Sequence, residues 1–378
     1  MTTTELKHGL AAGTPTIRAV GPLAFGPDGV LFVADNVSAS IFAIDTRDET
    51  AVDAPVPLNI DALDTRLASY LGCNRDDLLI KAMAVHPDSR NVYLSVMRGM
   101  GDRATPVIVR ILRDGTFTTL SLESIPFSQV AIEDAPAADD QRTDWRRVQS
   151  NREGEITTRR DGLQTRVTHD PFRSITVTDL QYIPRKADWN VHGQLLVAGV
   201  SNEEFSSVLR RIAFPFHRAP QKVWVEVYHV NHGQYETVSP IRTFVPYANN
   251  TEIVASYTCT PLVSFSLEEM KAGTEVIGRT VGELGGWSTP VDMLVYHRGG
   301  EEFVLVANSG LPLMRIAARD IQKQDALTRP SSEPEGVART PLHDGVEQMA
   351  NLGEDYVLML EVDGEGSYAL RSYPTASL

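Results

Sequence analysis

Three acidic residues stand where burial alone would not select them. Asp179 in VTDLQY, Asp292 in PVDMLV and Glu347 in GVEQM each interrupt a short run of core-type residues, and an unpaired carboxylate in such company is costly. They call for a counter-charge, which Lys81, Arg98 or a bound divalent cation would supply. Hard cations take carboxylate and amide oxygens. Asp179, Asp292 and Glu347, with Asn202 and Asn308, offer that mix without thiolate or imidazole, which is the chemistry of Ca²⁺. Such an ion would polarise a lactone or ester carbonyl or activate a water, with Asp292 at the reacting centre and Glu203 taking up the proton. The opposing reading is structural. Asp179 and Asp292 would accept backbone N–H bonds and stitch neighbouring elements, and Asn36, Asn202 and Asn308 would be turn residues.

Other candidates have less behind them. Cys259 in YTCTP and His343 next to Asp344 would make a nucleophile–base pair if the fold brought them together, but no local signature supports it, and a small buried Cys is the blander reading. His229 and His232 in YHVNHGQYET have the look of a paired metal motif. A hairpin joining a third strand to a fourth would put them on the face away from the other candidates, in a structural or solvated role. The chain lacks a P-loop, G-x-S-x-G, H-E-x-x-H and a dinucleotide fingerprint, which removes several enzyme classes.

The elements that must position these residues repeat along the chain. A short apolar strand, a turn, a second strand ending in a polar residue and a third amphipathic strand recur from Gly21–Thr46 (GPLAFGPDGVLFVADNVSASIFAIDT) onward. Pro27-Asp28-Gly29 gives the first copy its tight turn, and Asp114-Gly115 gives the second a hairpin. Later copies start near Ile175, Ile241, Pro290 and Gly345, so six inner strands fall at roughly 55-residue spacing. Only three strands can be assigned to the last copy. The stretch Thr14–Val20 would supply its outer strand and close a ring, which removes exposed edges.

Two segments break the rhythm. Asn59–Gly72 carries Ile60, Leu63, Leu67 and Leu71 at helical spacing behind an Asn or Asp cap, the pattern of a short surface helix. Residues 132–170 are polar and charged without a sustained period and form a long insertion, with a hairpin near EITTRRDGLQTRVTH, that covers one face.

Composition sets the outer limits. The 378 residues are 42% hydrophobic, enough for a substantial core, and the net charge of −14 repels phosphate backbones and anionic headgroups. Nucleic acid and membrane surfaces are not expected partners; a small-molecule substrate or a protein ligand is. Cys73 and Cys259 are the only cysteines, so there is no disulfide framework, though one bridge between them stays open. No apolar run is long enough to span a bilayer and Met1–Val20 is no signal peptide, so the expectation is a soluble protein, cytoplasmic or the mature form of an exported one.

The phrase PLAFGPDGVLFVAD and the spacing of its later copies resemble the six-bladed propellers of the NHL-repeat and gluconolactonase/regucalcin-like superfamily. The resemblance covers nearly the whole chain as blade pattern. It implies one all-β, six-bladed β-propeller domain over residues 1–378, and a central Ca²⁺-type site comparable to the Glu/Asn/Asn/Asp set of the gluconolactonase-like enzymes. No copy here reproduces that motif residue by residue. The non-catalytic alternative is a propeller that binds a protein or small ligand through its top-face loops.

Overall fold

The second strand of each repeat has a continuous apolar middle with polar residues kept mostly to its ends, as in VLFVAD at Val30–Asp35, QLLVAGV at Gln194–Val200 and EIVASY at Glu252–Tyr257. Strands buried on both faces read this way, because each sheet is packed between two others. A computed structural model of the chain, describing residues 7–148, 155–158, 164–184, 193–285 and 289–378, has six antiparallel sheets around a central axis: a six-bladed β-propeller.

The blades are numbered by the order of their inner strands. These are Leu23–Phe25, Leu78–Val85, Asp179–Ile183, Ile241–Tyr247, Pro290–Arg298 and Val346–Leu352. Around the axis, however, blade 2 lies between blades 6 and 1. Six apolar clusters mark the seams. Leu23, Val33, Tyr93 and Ile108 join blade 1 to blade 2, and Leu78, Met83, Leu358 and Leu360 join blade 2 to blade 6. The remaining clusters pair blade 1 with 3, 3 with 4, 4 with 5 and 5 with 6.

This order arises because blade 2 is inserted within blade 1. After Ser40–Asp45 the chain steps back to build blade 2, then returns to add Ile125–Ala131 as the fourth strand of blade 1. Asp48 anchors the step: its Oδ2 accepts from Ser89 Oγ at 2.8 Å, Asn91 Nδ2 at 2.8 Å and Tyr93 Oη at 2.9 Å. Gly29, at φ 72°, makes the blade 1 turn and leaves room for the His86 ring of blade 2, which a Cβ would strike.

The same detour corrects the expected closure. The N-terminal strand Ala11–Gly13 pairs with Ile125–Ala131, at the outer edge of blade 1. Blade 6 is closed instead by the linker to blade 2, where Ile60 and Leu370 exchange backbone bonds of 2.9 Å. Thr14–Val20 belongs to a blade that does not neighbour blade 6. The helix is shorter than expected, Leu63–Leu71, because Ile60 is held in that bridge; its N-cap is Ala62, not Asn or Asp.

The insertion forms a small sheet of Thr143–Val148, Gln164–Pro171 and Glu155–Thr158, which includes the expected hairpin. The outer strand expected at VIGRTVGEL is split at Gly278. Glu275–Ile277 runs parallel to Gln221–His229 of blade 3, and Arg279–Glu283 completes blade 4. Among the described residues, no helix is long and apolar enough to cross a membrane.

Candidate functional site

Four inner strands carry a β-bulge at the same level, skipping Lys81, Arg242, Val291 and Glu347 in their pairing. A bulge reverses the in–out alternation beyond it and re-aims the neighbouring side chains. The inner strands enclose a central cavity of about 500 Å³, whose wall includes Lys81, Asp179, Arg242, Thr243, Asp292 and Gln348.

Asp179 and Asp292 occupy matching places on alternate blades. Asp179 Oδ2 accepts from Phe244 N at 2.9 Å and Thr243 Oγ1 at 3.0 Å on blade 4, and its Oδ1 accepts from Leu180 N at 2.7 Å. Asp292 Oδ2 accepts from Met349 N of blade 6 at 2.5 Å, and its Oδ1 from Met293 N at 2.9 Å. Each carboxyl therefore joins its blade to the next one round the ring. Burial pushes Asp179 up to about 7, against the downward pull of these donors. Asp292 is raised well above the ordinary carboxylate range, first by burial and then by the nearby charge of Asp179.

The other expected ligands do not join them. Glu347, displaced at its bulge, accepts from Tyr368 Oη at 2.8 Å and is absent from the cavity wall. Asn202 is exposed in the loop after Gln194–Val200. Asn308 is buried at the end of Glu301–Asn308, donating to Val306 O at 3.2 Å. Calcium takes six to eight oxygens, and only two of the five side chains reach the channel wall, so this set does not fit the ion. Arg98 is exposed, whereas Lys81 lines the cavity.

Glu203 is likewise outside the cavity. Its oxygens lie 2.5 Å from Lys222 Nζ and 2.5 Å from Trp224 Nε1 on the outer strand of blade 3. Burial works upward on this carboxyl, but the two donors hold it below the usual range, so it is a poor base.

Two channel features escaped the sequence reading. Arg242, 9% exposed, pairs with Asp144 Oδ2 at 2.8 Å and Asp170 Oδ2 at 3.1 Å, which ties the insertion sheet to the channel mouth. Gln348 Oε1 is buried in the wall without a hydrogen-bond partner. The short apolar flanks of both residues look like ordinary strand, and only the bulge turns them to the axis.

A second group sits at the rim between blades 3 and 4. His229 ends the fourth strand of blade 3, and a turn leads to a fifth strand, Gln234–Glu236. The histidines thus lie at the same end of the ring as the Cys259 loop, not on the opposite face. Burial works downward on His229, but the Cys259 and Glu236 groups beside it carry it up to about 10; burial works upward on Glu236, and the two histidines bring it down to about 2. His343 is elsewhere, 3.0 Å from Glu361 on blade 6. Cys259 and Cys73 are both free thiols.

No family model matches the chain, and no curated protein matches it. Solved structures do resemble it. A structure of U3-55K covers 97% of this chain and 98% of its own, at 8% identity and a TM-score of 0.38. A mitotic checkpoint complex structure covers 99% and 97%, at 10% identity and 0.36. The PQQ-bound aldose sugar dehydrogenase of Streptomyces coelicolor covers 97% and 96%, at 14% identity and 0.33. At these scores the likenesses say nothing about activity. The class defined here is the six-bladed β-propeller with a polar central channel.

Proposed function

We propose that the protein binds a small polar molecule in its channel and performs acid–base chemistry on it, hydrolysis of a lactone or ester being the reaction to which the site is suited. The observation behind this reading is the pair Asp179 and Asp292, half-buried together in the wall of a cavity of about 500 Å³. Near neutral pH the two groups differ in role. Asp179, poised at about 7, exchanges a proton freely. Asp292, raised well above the ordinary carboxylate range, favours its protonated form, which can donate a hydrogen bond.

In the reaction, ionised Asp179 takes a proton from water as its oxygen bonds to the carbonyl carbon, and Asp292 donates to the oxyanion that develops. The carbon–oxygen bond to the leaving group then breaks, and Asp179 returns the proton to the departing oxygen. Gln348 Oε1 offers an acceptor for a ligand O–H or N–H.

The test is turnover of a panel of γ- and δ-lactones and 4-nitrophenyl esters. Asp179→Asn is expected to lower kcat/KM by about 10²–10⁴-fold, and the wild-type rate should rise with pH through about 7. No turnover above buffer, or equal turnover in the variant, would overturn the reading.

A second reading rests on the bonds to Phe244 and Met349. In it the acids only join blades, and the propeller is a non-catalytic scaffold for a protein or small ligand. Asp179→Asn and Asp292→Asn would then lower the melting temperature with no reaction to affect.

A further inference from the structure

The rim between blades 3 and 4 holds donors that the channel chemistry leaves unused. One ligand atom from each of His229, His232 and Cys259 lies within 4.8 Å of the other two, and among the described residues no other His, Cys, Asp or Glu set of three or more converges this way. Three pieces of backbone bring them together. Gln221–His229 ends at the first histidine, the following turn supplies the second, and the loop between Glu252–Tyr257 and Pro261–Ser266 supplies the thiol. The turn folds back because His229 O accepts from His232 N at 3.2 Å and from Gly233 N at 2.8 Å. The two rings consequently lie 3.9 Å apart, centroid to centroid.

A carboxylate stands behind both rings. Glu236 Oε1 is 3.0 Å from His229 Nδ1 and 2.5 Å from His232 Nδ1, while Ser239 Oγ donates to its Oε2 at 3.0 Å. A carboxylate beside Nδ1 orients the ring so that Nε2 serves as the ligand atom once its proton is displaced, the arrangement found behind metal-bound histidines. His229 is 1% exposed, and neither of its ring nitrogens completes a hydrogen bond of good geometry, although Glu236 lies beside Nδ1. Buried imidazole nitrogens are seldom left so.

We propose that His229, His232 and Cys259 bind a transition-metal ion of the zinc class, with Glu236 orienting both imidazoles and the fourth position open to water. Two imidazoles and a thiolate favour Zn²⁺ or Co²⁺ over Ca²⁺ or Mg²⁺. Ligand atoms placed about 2.0–2.3 Å from a tetrahedral ion lie within about 4 Å of one another. The observed spread of up to 4.8 Å closes with small side-chain rotations. The ion would clip the fifth strand of blade 3 to a loop of blade 4, and its binding would release the thiol proton and a proton from His229. This site is independent of the channel: it uses other residues and needs no substrate.

The test takes the full chain, strips it with chelator and adds back Zn²⁺ or Co²⁺. One zinc per chain by native mass spectrometry, a melting temperature that rises with zinc, and a thiolate-to-cobalt charge-transfer band are expected. Cys259→Ala should abolish the band and, like His232→Ala, weaken zinc binding at least tenfold; Glu236→Gln should weaken it about 10–100-fold. The His232 side chain is 47% exposed, so its removal leaves the buried packing intact and keeps the test clear of misfolding. The proposal is overturned if the wild type takes up no stoichiometric zinc, if Cys259→Ala and His232→Ala bind it equally well, or if zinc fails to slow alkylation of Cys259 by iodoacetamide.

Discussion

The channel wall and the rim of blades 3 and 4 each gather ionisable side chains from distant parts of the chain, and they spend them differently. In the wall, both oxygens of Asp179 and of Asp292 already accept N–H or O–H bonds, with the neighbouring blade supplying a donor to each. At the rim, Glu236 lies beside the Nδ1 atoms of two imidazoles, and the buried His229 ring completes no hydrogen bond of good geometry. The first arrangement holds the ring together while keeping titratable groups in a cavity. The second holds little of the structure and leaves its donors to a ligand. Acidity thus marks the hard-cation site that the sequence invites, while the softer donors are the ones the fold leaves open.

Stability measurements can break this contrast. Asp292→Ala orphans the N–H groups of Met293 and Met349 at the seam of blades 5 and 6 and should cost about 3 kcal/mol in urea denaturation. A negligible loss would remove the joining role.

The pH dependence comes next. Unfolded Asp179 releases its proton near 3.8 and the folded form only at about 7, so the folded state holds the extra proton between those values and stability falls as pH rises through that window. Asp179→Asn lacks this slope. Its deficit against the wild type, from an amide facing N–H donors, should be largest near pH 4 and shrink by pH 8.

Arg242→Met should cost about 2 kcal/mol by leaving Asp144 and Asp170 without their shared guanidinium, and it should raise proteolysis of the insertion first. The smallest effect belongs to the rim: metal-free Cys259→Ala should change stability by less than about 1 kcal/mol. A large loss there would mean that the thiol is a packing element after all.

Much of the architecture could be read from the chain because each inner and second strand advertises itself by an apolar run between turn residues. The order of the blades could not. Nothing in Thr46–Leu58 announces that the chain steps backwards, and the evidence, Asp48 beneath Ser89, Asn91 and Tyr93, exists only after folding. Asp179 and Asp292 were legible because a carboxylate among core residues demands a partner. Their partners were not, being backbone amides of another blade. Glu347 misled for a related reason: a bulge, invisible to alternation, shifts it out of step and leaves it bonded to Tyr368. Cys259 and the histidines were each noticed separately, but the unexpected fifth strand of blade 3 is what brings Glu236 and the turn to the thiol.

The claim beneath the acid–base role is that the ring keeps these two wall carboxyls protonated well above the usual range. Carbon-13 NMR of selectively labelled aspartate carboxyls, titrated from pH 3 to 9, reads this directly. The account predicts an Asp179 transition near 7 and Asp292 still protonated when Asp179 ionises. Two ordinary transitions near 4, with no coupling between them, would contradict it.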